Sequence, residues 1–357
     1  MMLGVLLHSA QVYNPERTWV IYSNTSNVIL TYLVHIIHLF RMPAFFIVSG
    51  YFCLLTIKRY GPYRFINIRL TRILIPFIVT ALTLNTLQIL ILTSTGWKQF
   101  DLNNYLLTGE WVSHLWFLIN LIVYFSLIFI FTLISEKIPS FTYTKANHLL
   151  NKTPVFLTLM TLPLVWLTIK ASSKIGIPIY MDILGIIDVY ELLFYFPFFL
   201  FGMWLRAHPG QLRKFSQLNI FVSLIIITIF LFISGKIDPK AGLLQTIAKE
   251  YLHTTSIWFS ASVCFYIFSN YANLQSKIFM FFSDASYTVY LFHHIIVISI
   301  ALILTKTNTD ALTGFIILIT LTTLLSVLIH KFIISRYKYF SYAFNGKKSS
   351  HVKASIN

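Results

Sequence analysis

The stretch HIIHLFRMPAFFIVSGYF, residues 35–52, places two histidines and an arginine inside an apolar run. How that run is read decides the fold. Of the 357 residues, 57% are hydrophobic and 11% are charged, whereas a soluble domain is usually about 25% charged. A run of about 20 apolar residues spans a bilayer as a helix. Such runs fall near 29–57, 73–94, 111–135, 154–171, 189–207, 217–235, 251–269, 279–305 and 312–334. Ahead of them lies MMLGVLLHSAQVY, 13 residues, which at 1.5 Å per residue reach only about 20 Å. That segment reads as the second half of a further span, with Met1 inside the first helix. It lacks the charged start and small-residue cleavage site of a signal peptide. The expected fold is an all-α polytopic membrane protein of about ten transmembrane helices, the first truncated at its N-terminus. Residues 1–335 form one membrane domain, followed by a basic cytoplasmic tail, 336–357.

Charge sets the expected orientation. The segment KRYGPYRFINIRLTR, 58–72, reads as a loop with Lys58, Arg59, Arg64, Arg69 and Arg72 and no acid, a strong inward signal. If the spans alternate from there, inward segments carry 18 basic and 2 acidic residues, outward ones 8 and 9, and Arg41 alone stays in the membrane. Both termini then face the cytoplasm. The net charge of +16 is therefore topological and does not call for nucleic acid. Cys53 and Cys264 both lie in apolar runs, which indicates neither a disulfide framework nor a cysteine metal site. No pair of the eleven histidines has metal-ligand spacing of the H-E-x-x-H kind, so no metal is expected. A serine nucleophile elbow and a phosphate-cradling glycine loop are also missing.

Polar residues inside a membrane are expensive and mark function or an internal partner. His35, His38 and Arg41 are three apart, hence on one helical face with His38 in the middle. Arg41 suits an anion site; the plainer reading is an interhelical hydrogen-bond cluster. In SDASYTVYLFHHIIVI, 283–298, Ser286, Tyr290 and His293 share a face, with Ser283 and Asp284 as helix caps. The adjacent His293 and His294 point to different sides, so at most one should face a given cavity. In GEWVSHLWFLINLIVYF, 109–125, Glu110 and His114 are four apart and read either as an acid–base pair or as an interfacial hydrogen bond. Trp116 beside them is an ordinary interface aromatic. His8, in the short first segment, is a candidate general base.

The order of these groups, from LGVLLHSA through HIIHLFRMPAFFIVSGYF, RLTRILIPF, SHLWFLINLIVYF and FYFPFFLFGMWL to SYTVYLFHHIIVI, resembles the membrane acyltransferase-3 family over nearly the whole chain. Within it the chain most resembles the bacterial inner-membrane members that succinylate osmoregulated periplasmic glucans. The resemblance implies an O-succinyltransferase that uses cytoplasmic succinyl-CoA, or another acyl-CoA, as donor and a periplasmic glucan as acceptor. It implies no permanently bound cofactor, and other glucan biosynthesis proteins as partners. Family members carry an essential histidine in the first helix, which His8 matches, and an arginine three turns earlier that would precede Met1. The resemblance makes Arg41, Arg69 and Arg72 candidates for the donor's phosphates, with His38 beside Arg41. It places His114, Trp116, Ser286, Tyr290 and His293 around the reaction cavity, Tyr290 and His293 as oxyanion donors. An O-acetyltransferase of another exported or surface polysaccharide, or a transporter or flippase, are the alternatives.

The charge-derived orientation predicts labelling by a membrane-impermeant maleimide after Cys53 and Cys264 are changed to serine. Lys240→Cys should label from outside the cell, and Lys214→Cys only after permeabilisation; the reverse pattern would invert the topology.

Overall fold

The computed structural model describes residues 2–135, 154–272 and 276–347. The expected spans appear as helices with shifted ends. α1 (Met2–Val12) is short, followed by α2 (Val28–Tyr60), 33 residues capped by Asn27, whose side chain accepts from the Ile29 N–H. α3 (Pro62–Thr80) continues through a π-helical turn, Ala81–Asn85, into α4 (Thr86–Ser94). The short α5 (Leu102–Leu107) and a 3₁₀ turn (Ser113–Leu115) lead into α6 (Trp116–Ser135). α7 (Val155–Ser172) is followed by a two-residue hairpin ladder, β1 (Asp182–Ile183) against β2 (Ile187–Asp188), antiparallel. Then come α8 (Val189–Ala207), α9 (Pro209–Ser216), α10 (Ile220–Lys236), α11 (Leu243–Tyr271), α12 (Lys277–Leu304) and α13 (Ala311–Ile329). A second π turn, His330–Ile334, leads to α14 (Lys338–Asn345).

Among the described residues, seven helices are long and apolar enough to cross a membrane, or eight if α9 and α10, bent by 69°, form one broken span. The chain is an all-α multi-pass membrane protein. Two of the ten expected spans fall outside that count. α11 has 29 residues but carries Lys249, Glu250 and a buried run rich in Ser and Thr; α1 has 11 residues. Glu250 meets Lys170 of α7 at 2.7 Å.

Two local expectations change. The basic segment 58–72 is not a loop. α2 runs to Tyr60, Gly61 turns the chain, and Pro62 starts α3 at its first position, the place where a missing N–H costs nothing. Arg69 and Arg72 therefore stand on a helix. Ser283 and Asp284 are not caps: α12 starts earlier, with Ser276 accepting from the Phe279 N–H, and Asp284 sits 3.6 Å from Lys347. The first part of the tail is helical. α14 packs on α3, with Phe344 and Asn345 buried. Met1 and residues 136–153, 273–275 and 348–357, the rest of the tail, lie outside the described residues.

Two close backbone approaches set the helix arrangement. A Cβ on Gly50 of α2 would overlap the Phe199 carbonyl of α8, and one on Gly202 of α8 would overlap the Ile47 carbonyl of α2. Small residues let spanning helices pack backbone to backbone where lipid offers no hydrophobic drive. Beside this crossing lies an aromatic core, with Phe198 stacked on Trp258 of α11 at 3.9 Å between ring centres. A second core joins α1, α12 and α13.

Gly202→Val should cost about 1–3 kcal/mol or more through overpacking, read as a lower melting temperature in detergent. An unchanged melting temperature would refute the close crossing.

Candidate functional site

The polar residues of the site come from five places in the chain: α1, α2, the 3₁₀ turn with the start of α6, α8 and α12. α1 lies against α2, α12 and α13, which brings His8 to the middle of a group of rings. Its imidazole stacks on Trp19 at 5.4 Å and lies 5.3 Å from His293 and 4.9 Å from His294 of α12. His114 of the 3₁₀ turn stacks on His294 at 4.7 Å and meets His293 edge-on at 5.4 Å. Arg41 comes from α2; a Cβ on Gly4 of α1 would stand 3.7 Å from its Nη1 and 3.1 Å from His293 Nε2. These groups, with His38, Trp116, Tyr290, Tyr195 and Glu191, line a cavity of about 340 Å³.

Hydrogen bonds assign roles to the imidazole nitrogens. His293 Nδ1–H donates to the Tyr290 carbonyl at 2.7 Å. A carbonyl only accepts, so in the neutral ring Nε2 carries the lone pair, and that nitrogen is buried without a partner. His294 Nδ1 contacts Gln88 Oε1 of α4 at 2.6 Å, and His8 Nδ1 contacts Gln11 Oε1 at 2.9 Å. With those oxygens accepting, His8 also presents a lone pair at Nε2. Both His114 ring nitrogens and Arg41 Nε are buried without partners. Among the described residues no group of three or more His, Cys, Asp or Glu is placed to hold a metal ion.

The turn that carries His114 is held from two sides. Asn85, 1% exposed at the end of the π turn, donates to the carbonyls of Trp111 at 2.8 Å and Val112 at 3.0 Å. The Tyr290 hydroxyl donates to the His114 carbonyl at 2.8 Å. Ser113 within the turn has φ 48°, a strained backbone for a residue with a side chain and one that clusters at functional sites.

Of the residues singled out in the sequence, His8, His38, Arg41, His114, Trp116, Tyr290 and His293 line the cavity. Four others do not. Glu110 pairs with Lys98 at 2.8 Å rather than with His114; the turn between them is not a continuous helix, so four-residue spacing does not bring them together. Arg69 commits Nη2 to the Phe52 carbonyl at 2.8 Å and Thr56 Oγ1 at 2.7 Å, tying α3 to α2. Arg72 is exposed, and its carbonyl accepts from the Tyr287 hydroxyl at 3.3 Å. Ser286 bonds back to the Ser283 carbonyl at 2.7 Å; it shares a face with Tyr290 but sits one turn closer to the basic end.

The expectation that only one of His293 and His294 faces the cavity is also corrected. Both line it, because α1 and the 109–115 turn meet α12 on adjacent sides. The hydroxyl proton of Tyr290 is committed to His114, so Tyr290 is a strut rather than a free oxyanion donor. His35 meets Glu16 at 3.4 Å on the surface, in keeping with a structural role. Sequence reasoning missed Gln88, Asn85, Tyr195 and Glu191. Gln88, inside LQILIL, was detectable as a polar residue at membrane depth.

These features sit in a chain that belongs to the acyltransferase-3 family: its profile, described as an acyltransferase domain, matches residues 1–331. The chain is similar to "Glucans biosynthesis protein C" of Salmonella paratyphi B (strain ATCC BAA-1250 / SPB7), 27% identical over 334 residues, 88% of this chain and 84% of that protein. The same figures hold for the proteins of that name in Salmonella enteritidis PT4 and Salmonella heidelberg. No solved structure matches. The family makes the chain an acyltransferase.

Asn85→Ala removes the donor shared by two carbonyls and should destabilise the protein by about 1–3 kcal/mol, measured by denaturant titration in detergent. No loss would show that the His114 turn holds itself.

Proposed function

We propose that the protein is an O-acyltransferase of the bacterial inner membrane that moves a succinyl group from cytoplasmic succinyl-CoA to hydroxyls of an osmoregulated periplasmic glucan. The observation that carries this reading is the His8 imidazole, with its Nε2 lone pair, in the wall of a cavity that also holds Arg41. The acceptor hydroxyl is a weak nucleophile and needs a base within hydrogen-bond reach. His8 Nε2 takes its proton as the oxygen attacks the thioester carbonyl. The tetrahedral intermediate expels the thiolate, which recovers the proton from His8. A permanently charged guanidinium beside the reacting carbonyl stabilises the oxyanion, a role that Arg41 fills better than Tyr290, whose proton is engaged, or neutral His293, whose Nε2 only accepts.

The basic face around Lys58, Arg59 and Arg64 attracts the polyanionic donor. Arg72 is exposed there, and Arg69 keeps Nη1 outside its bonds to α2. The pantetheine arm, about 20 Å long, then threads toward His8, which lies within reach of the opposite face of a hydrocarbon core about 30 Å thick. Direct transfer is favoured over an acyl-histidine relay, because His8 and Arg41 already share one cavity. The family, and relatives named for glucan biosynthesis, support the acceptor class.

The test is the mass spectrum of periplasmic glucans from a strain lacking the gene, with and without complementation. Succinyl increments should vanish on deletion and return with the wild-type gene. His8→Ala should lower transfer by about 10²–10⁴-fold while the protein stays in the membrane; wild-type activity would remove the proposed base. Arg41→Ala should lower kcat, and an effect on acceptor KM alone would contradict its role. Unchanged glucans would move the acceptor to another exported polysaccharide.

A further inference from the structure

Next to the His8 cavity lies a second, smaller one of about 160 Å³. Its wall is made where the β1–β2 hairpin meets the 109–113 turn. A Cβ on Gly109 would overlap the Gly185 carbonyl and one on Gly185 the Leu107 carbonyl, and the two glycines have φ 69° and 66°. A side chain at either position would therefore push the hairpin off the turn. Three residues, Ser113, Trp116 and Glu191, line both cavities, so whatever fills the smaller one abuts the reaction cavity.

The smaller cavity has a mixed chemistry. Asn120, one helical turn beyond Trp116 on α6, is 3% exposed, and its Nδ2 amide has no partner. Such a buried donor is costly unless something accepts from it. Asp182 and Asp188, opposite each other in the hairpin ladder, and Glu191 supply carboxylate acceptors. Both hairpin aspartates are exposed; Asp188 uses Oδ1 to accept from the Glu191 N–H at 3.0 Å, and Asp182 has its carboxylate free of that cap. Trp116 adds an apolar ring.

We infer that this cavity is an acceptor subsite that binds one neutral sugar residue of the acceptor chain beside the residue being acylated. Sugar hydroxyls both donate and accept. Their protons suit Asp182 and Glu191, a hydroxyl oxygen suits the Asn120 amide, and the C–H face of the ring suits the indole. An anionic ligand would meet three carboxylates. A metal ion would leave the Asn120 donor unpaired. The subsite rests on the transfer reading for its place in the reaction but not for its ability to bind sugar.

The experiment uses the full chain in lipid nanodiscs with a neutral gluco-oligosaccharide as probe. Saturation-transfer NMR without donor reads binding; steady-state assays with succinyl-CoA read transfer. Asn120→Leu and Asp182→Asn should each lose the saturation-transfer signal and raise the acceptor KM roughly tenfold, about 1.4 kcal/mol, with kcat and donor KM unchanged. Asp182 is exposed, so its variant keeps the test independent of folding. If only Asn120→Leu behaves so, or neither does, the subsite is overturned. Wild-type binding without transfer, lost in both variants, would keep the subsite and remove the transfer reading. Wild-type transfer with both variants normal would do the opposite, and a wild type that neither binds nor transfers would remove both.

Discussion

A guanidinium and four imidazoles inside an apolar bundle must find partners or a polar cavity, since an unpaired polar group at membrane depth costs several kcal/mol. The helices meet that demand from several directions. Gln88 of α4 takes His294, the Tyr290 carbonyl takes His293, and Gln11 takes His8. What remains unpaired, Arg41 Nε, His293 Nε2 and both His114 nitrogens, surrounds one cavity. Among these five groups the missing bonds gather at one place, where a substrate would supply them.

Holding that cavity open requires rigid surroundings. Gly50 and Gly202 let α2 and α8 touch backbone to backbone, which fixes the height at which Arg41 and Glu191 enter from the two helices. On the other side Tyr13 follows α1 and packs where a Cβ on Gly314 of α13 would overlap its hydroxyl. That contact seats the C-terminal end of α1 against α13. The long rod from Pro62 to Ser94 contributes Asn85 and Gln88 from adjacent turns. The π turn at Ala81–Asn85 ends on Asn85 and lies just before Gln88, a feature frequent at functional sites.

The two ends of the bundle differ in charge in the way the transfer chemistry would use. Lys58, Arg59, Arg64 and Arg72 gather where α2 meets α3. Asp182, Asp188, Glu191 and Glu110 gather around the hairpin and the 109–113 turn. On the proposed reading, a polyanionic donor would be drawn to the basic end and kept from the acidic one.

The membrane class was legible in the sequence because hydropathy over about 20 residues is a one-dimensional property of the chain. The same holds for the flag on His8, Arg41, His114 and His293, whose polarity conflicts with their surroundings. The family resemblance rested on the order of motifs, also a linear property. Helical spacing could say that Ser286, Tyr290 and His293 share a face, but not how far along that face the cavity extends, so Ser286 was included and His294 set aside. Four-residue spacing joined Glu110 to His114 only on the premise of a continuous helix, which the turn at Gly109–Leu115 breaks. Asn85, Gln88 and Glu191 enter through contacts with residues from about 26 to 206 positions away. Tertiary structure alone decides such pairings, because which helix faces which depends on backbone approach at a few glycines and not on the pattern of any single segment.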